Sequence, residues 1–184
     1  MNKIQIIVNN GAGTGSAVAV WKETKEYLQE NGISYNAYLT RYEKHAVKLA
    51  GQICGKIPEG PIYLLVVGGD GTINEVLNGI TDFDRVRLGV IPTGSGNDFA
   101  RNLGILRDTR EDLREITACI DQEQNGEKLQ RIDLGKVSWK GCEKPRIFGI
   151  SAGAGLDAIV CKKALHSKLK KILNRFHLGK LTYL

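Results

Sequence analysis

The segment Leu64-Leu65-Val66-Val67-Gly68-Gly69-Asp70-Gly71-Thr72-Ile73-Asn74-Glu75-Val76 constrains the fold more than any other stretch of the chain. An apolar run breaks on two glycines, an aspartate, a third glycine and a threonine. A helical period then starts at once, because Ile73, Val76, Leu77 and Ile80 stand at i, i+3, i+4 and i+7. The pattern predicts a strand, a tight turn and a helix. Glycine has no Cβ, so bare backbone N–H groups in such a turn can approach an anion closely. The helix N-terminus behind it favours negative charge. A carboxylate in an anion-attracting loop makes sense if Asp70 faces a metal ion or an attacking hydroxyl. Asn74 lies off the apolar face in the first helical turn, near any bound phosphate. A ligand-free structural turn is the plainer alternative, and an aspartate between glycines is unusual there.

Two more corners of this kind occur. Leu88-Gly89-Val90-Ile91 runs into Pro92-Thr93-Gly94-Ser95-Gly96-Asn97-Asp98-Phe99-Ala100-Arg101. Thr93 and Ser95 offer hydroxyl donors to phosphate oxygens. Asn97 and Asp98 suit either a helix cap or a ligand role. Near the start, Ile4-Gln5-Ile6-Ile7-Val8 precedes Asn9-Asn10-Gly11-Ala12-Gly13-Thr14-Gly15-Ser16. That spacing is neither the dinucleotide fingerprint nor a Walker A loop. Three such corners would gather at the carboxyl edge of one parallel sheet, where open α/β folds bind ligands.

The predicted order is strand 3–9, helix 15–30, strand 33–39, helix 43–54, strand 62–67, helix 71–79, strand 87–91, and helices 97–103 and 109–120. Alternation of this kind specifies an α/β fold, a parallel sheet with helices on both faces. The polar stretch 121–128 contains Asn125-Gly126, a turn signal. Strands over 127–139 and 144–150, joined through Lys140-Gly141-Cys142, then mark a change to antiparallel β. The expected division is a nucleotide-binding α/β domain over 1–125 and the beginning of a second, β-rich domain over 126–184.

Of the 184 residues, 42% are hydrophobic and 25% charged, the balance of an ordinary globular protein. No run of 18 apolar residues suggests a transmembrane helix, and the N-terminus has no signal-peptide shape. Cys54, Cys119, Cys142 and Cys161 form no C-x-x-C pair, and His45, His166 and His177 show no ligand spacing with them. A reduced cytoplasmic setting is expected, and no metal ligand is assigned. The net charge of +6 is uneven: seven basic and no acidic side chains follow Asp157, so residues 1–157 carry about −1. Leu165, Leu169, Ile172, Leu173 and Phe176 form an apolar stripe in that basic tail. It suits packing against a further domain, and it also suits transient contact with an anionic membrane surface. No aromatic residues interleave with the lysines as a stacking platform, which argues against nucleic acid as a partner.

Taken together, Asn9 with its glycine loop, the GGDGTINE run at 68–75 and the PTGSGNDFAR run at 92–101 resemble the lipid kinases of the diacylglycerol kinase and sphingosine kinase type, in their bacterial form. Ile132-Asp133-Leu134-Gly135 and the stretch 148–158 resemble them more loosely. NAD kinases and phosphofructokinases share the GGDG element but not the second run. The resemblance implies transfer of phosphate from ATP, with Mg2+, to a hydroxyl of a diacylglycerol-like lipid. By motif, nucleotide contacts fall on Asn9, Thr40, Gly68, Gly69, Asp70, Gly71, Thr72, Ile73, Asn74 and Ser95, and Asp70 is the catalytic candidate. A loop or cap hydroxyl is the structural alternative for Thr40. Asn10 and Ile150 depart from the family pattern, which has proline and asparagine there. Arg101 suits a phosphate or a surface ion pair. The family is usually longer, so a fragment inactive by itself is expected, with the general base in a further part; Asp133 and Asp157 are candidates by position only. Peripheral attachment at the inner membrane face and a homodimer are compatible expectations. An NAD kinase-like enzyme and a non-catalytic nucleotide-binding module are the alternative readings.

Overall fold

A computed structural model describes residues 3–9, 11, 16–105, 108–155 and 158–159. Four strands, β1 (Ile4–Val8), β2 (Tyr35–Leu39), β3 (Ile62–Gly68) and β4 (Val86–Pro92), form one sheet in the order β2-β1-β3-β4. Every pairing in it is parallel. Helices α1 (Ser16–Glu30), α2 (His45–Lys56), α3 (Asp70–Leu77), α4 (Asp98–Asn102) and α5 (Thr109–Gln124) follow the strands. The predicted α/β fold is therefore observed, with helix and strand ends shifted by a few residues.

Both faces of the sheet are buried, which explains why its strands are rich in Ile, Val and Leu. Alternate residues serve alternate faces. Ile7, Ile62, Leu64, Val66 and Val90 point into a core with the apolar sides of α2, α3 and α4. Ile4, Ile6, Val8, Tyr63, Leu65, Val67 and Ile91 point into a second core with Trp21, Tyr27 and Leu28 of α1 and Leu113 and Ile120 of α5. The chain runs outward from β1 to β2, then crosses back to β3 and β4. The direction of winding thus reverses between β1 and β3, the switch point beside which open α/β sheets bind ligands.

Beyond α5 the observed strands are shorter than expected. The backbone pairs only over β5 (Gly135–Val137) and β6 (Arg146–Phe148), as an antiparallel two-stranded sheet. Residues 127–134 form no strand. Asn125-Gly126 terminates α5 rather than turning a hairpin: Gly126 adopts φ +90, and the Gly126 and Glu127 N–H groups donate to Glu123 O and Gln122 O. The basic amphipathic stretch 162–176 and Asp157 lie outside the described residues.

Candidate active site

Backbone hydrogen bonds continue the sheet past its strand ends into the loops. Thr40 N–H donates to Val8 O at 2.9 Å, Asn9 N–H to Val67 O at 2.9 Å, and Thr93 N–H to Gly68 O at 3.1 Å. The loops after all four strands are thereby zipped side by side. The corners after β3 and β4 share one edge with Asn9, where the first corner begins; residues 12–15 of that corner lie outside the described residues.

At their centre is the first turn of α3. Gly69 caps it with ordinary extended backbone, φ −93. Its lack of a side chain serves close approach rather than an unusual dihedral. A Cβ on Gly69 would lie 3.1 Å from the Cα of Gly94 in the neighbouring loop. A Cβ on Gly68 would meet the side chain of buried Thr72 at 2.7–2.9 Å. Gly71 differs: nothing stands within 4 Å of the position its Cβ would take. Gly69 O accepts from the N–H groups of Thr72 and Ile73. The N–H groups of Asp70 and Gly71 remain as the leading donors of the helix, next to that open space.

The side chains of this turn reach into the other three loops. Thr72 Oγ1 accepts a hydrogen bond of 2.9 Å from Asn9 Nδ2, while Asn9 Oδ1 accepts from Gly11 N–H. Asp70 Oδ1 accepts from Phe99 N–H at 3.0 Å, and its Oδ2 from Asp98 N–H at 3.2 Å. Glu75 Oε1 and Oε2 accept from the N–H groups of Lys44 and Ala46 at 3.0 and 3.2 Å. Asp70 thus caps α4 and Glu75 caps α2, both from α3. Of the two roles left open for Asn97 and Asp98, a side-chain cap of α4 is not observed. Asn97 stands at the cap position with φ 53 but spends its amide on both backbone groups of Gly94. Asp98 is exposed and pairs with Arg101, 3.5 Å away. Arg101 also donates to Gly96 O, so its observed role is to close the second loop.

Asn74, expected from the sequence to lie near a phosphate, makes a side-chain contact with β6. Its Nδ2 donates to Ile147 O in β6 at 3.3 Å. Asn78, whose place in the sequence puts it off the core side of α3 without a role, makes firmer bonds to the same residue. Ser95 is exposed in the second loop. Thr93 is buried, and its Oγ1 has no hydrogen-bond partner. Beside Thr40 a groove of about 620 Å3 runs along Tyr38, Leu39, Arg41, His45 and Leu49. At its rim Tyr42 stacks on His45, with ring centroids 4.3 Å apart and planes at 22°. Ile73 is buried in the core below α3, so of that residue only the backbone can serve a ligand. Asp133 is exposed just before β5. Among the described residues no group of three His, Cys, Asp or Glu could hold a metal ion, and no helix is long and apolar enough to cross a membrane.

Comparison with known proteins gives this geometry its context. Residues 3–137 match the family described as the diacylglycerol kinase catalytic domain. The Bacillus subtilis (strain 168) protein named "Putative lipid kinase YtlR" is 32% identical over 180 residues, covering 96% of this chain and 55% of its own length. The diacylglycerol kinase of the same strain is 36% identical over 144 residues, covering 76% of this chain and 41% of its own. A solved structure of a diacylglycerol kinase from Bacillus anthracis str. Sterne superposes with TM-score 0.53 at 28% identity, over 63% of this chain and 39% of that one. The chain spans about half the length of the curated relatives it matches. With its parallel sheet, its GGDGT turn and these matches, the chain belongs to the diacylglycerol kinase catalytic domain family.

Proposed function

We propose that the chain is the nucleotide-binding part of an ATP-dependent lipid kinase, acting on a hydroxyl of diacylglycerol or a related lipid. The observation that carries this reading is the open backbone at Gly71, in the first turn of α3 at the sheet's switch point. An α3 N-terminus lined by bare backbone is a phosphate cradle. In this reading the polyphosphate lies against residues 68–72. Thr93 and Ser95 add hydroxyl donors, Asn9 holds the first loop against Thr72, and the nucleoside extends toward Thr40 and the Tyr42–His45 stack.

The donor set also suits magnesium. That ion keeps several waters and takes one or two carboxylates together with phosphate oxygens, rather than an all-protein cage. Asp70 and Asp98 are the acids at hand, both flanking Gly96. When bound, the ion neutralises charge on the phosphates. The rest is positioning, which dominates phosphoryl transfer. Asp70 is assigned to orienting the metal or the acceptor hydroxyl from its fixed seat on α4. The lipid is reached at a membrane surface, with the basic stretch after Asp157 as the contact, and the protein acts from the cytoplasmic side.

Titration calorimetry with ATP, ADP and NAD on the wild-type chain and on Gly71→Val tests the cradle. The variant should keep the wild-type melting temperature, since its side chain meets open space, and lose at least about tenfold in ADP affinity by occupying the phosphate position. Equal ADP affinity in the two proteins would remove the cradle. Preference for NAD would move the chain to the NAD kinase-like reading. Transfer of label from γ-labelled ATP to diacylglycerol in vesicles, tested with the chain and its whole reading frame, separates a kinase from a nucleotide-binding module.

A further inference from the structure

Asn78 stands at the C-terminal end of α3, opposite the cradle, and its side chain behaves like a piece of backbone. Its Nδ2 donates to Ile147 O at 2.9 Å, and its Oδ1 accepts from Ile147 N–H at 3.0 Å. One amide therefore satisfies both backbone groups of a β6 residue, as a neighbouring strand would. Asn74 adds a longer bond to the same carbonyl. A second contact fixes the next turn of chain. A Cβ on Gly149 would fall 2.5 Å from the Phe99 ring and 3.2 Å from Leu77, so this backbone sits directly on α4 and α3. Ile147 and Leu134 pack on the core of the same face. Phe99 is the residue whose N–H Asp70 Oδ1 holds. β6 therefore rests on both helices that Asp70 ties together.

The β5–β6 ladder pairs only three residues on each strand, too few to be stable alone. Its placement depends on these contacts. We propose that Asn78 is a positioning residue: it latches the antiparallel unit to the far end of α3, so that a nucleotide seated at the near end also tightens β6. The latch itself stands on the observed hydrogen bonds. The coupling rests on the nucleotide reading given above, and a ligand shifts β6 only if it favours the latched arrangement.

Amide hydrogen exchange across residues 146–148, measured on the full chain with and without ADP and Mg2+, tests both parts. Asn78→Leu keeps the side chain's size and removes both bonds to Ile147, together with the 2.8 Å bond from its Nδ2 to Asn74 O within α3. Ligand-free exchange at Ile147 should quicken about tenfold in the variant, the scale of one lost hydrogen bond. ADP should slow that exchange in the wild type and leave it unchanged in the variant, with ADP affinity held within about threefold. Identical ligand-free exchange in the two proteins overturns the latch. Equal ADP protection in both overturns the coupling. If the wild type binds no ADP, the nucleotide reading and the coupling fall together, and the ligand-free comparison still decides the latch. Should Asn78→Leu fail to fold, Gly149→Ala perturbs the same seat from the other side and should quicken exchange at Ile147 likewise.

Discussion

The two faces of the sheet are held by different means. On the α1/α5 face, α5 is capped by the residue that immediately precedes it. Asp108 caps α5 itself, accepting from the N–H groups of Arg110 and Glu111 at 2.9 and 3.0 Å. Arg110 then joins the end of α1 through two bonds to Glu30. On the α2/α3/α4 face, neither α2 nor α4 has a side-chain cap of its own. Their leading N–H groups are satisfied by Glu75 and Asp70, both from α3. The first face has a helix whose cap comes from its own flank. The second is a single unit, in which one helix finishes two others and shapes the ligand-facing edge.

That contrast sets the order of expected effects. Removal of a shared cap should cost most. Asp70→Ala takes a charged acceptor from two N–H groups and should destabilise by about 2 kcal/mol. The sheet should survive it, while exchange at Asp98 and Phe99 rises. Glu75→Ala should act similarly on Lys44 and Ala46, and the double variant should cost less than the sum, because both act through α3. Chemical denaturation with residue-resolved exchange reads this, and strictly additive, purely local losses would break the picture of one unit. Removal of the local cap comes next. Asp108→Ala should cost roughly 1 kcal/mol and leave exchange in the loops at the carboxyl edge unaltered.

The smallest effect belongs to the exposed pair between α1 and α5. The hydrogen bond from Arg110 holds the Glu30 carboxyl below the usual carboxylate value of 4.5; desolvation works against it, and the Arg110 charge adds a smaller lowering. A lowered carboxyl stabilises the fold above its unfolded value and loses that contribution as pH falls through the folded one. Wild type should therefore melt slightly above Glu30→Gln at pH 7. The gap should close as pH drops below about 4.5 and shrink with added salt. A gap that is unchanged by pH and salt would assign the difference to packing rather than charge.

How much of this was legible beforehand follows the same division. The strands announced themselves through Ile, Val and Leu runs, and α3 through its 3.6-residue period, because burial writes itself into local pattern. The gathering of Asn9 and the small-residue corners after β3 and β4 at one edge followed from parallel alternation alone. Asp70 as the cap of α4 was not legible: its partners are 28 and 29 residues away, and no local signature marks a cap donated by another helix. Asn97 and Asp98 offered the usual capping chemistry at the right place, and the loop used it to close on Gly94 and Arg101 instead. The β6 partner of Asn74 was not legible for a related reason. Helical spacing showed the asparagine to be off the core stripe, but could not say that β6 covers that side. The strands expected over 127–139 shrank to three residues because polar Glu127, Lys128, Gln130 and Arg131 supply no alternating apolar face.

The seating of Glu75 and Asp70 on foreign helices bears on how this motif can be engineered. A binding loop on a rigid scaffold is ordinarily a cassette, exchangeable with that of a cousin so long as its ends match. Here the eight residues 68–75 cannot be transplanted alone, since their acids would leave two helices behind with bare beginnings. A graft that works must carry the segments after β2 and β4 as well.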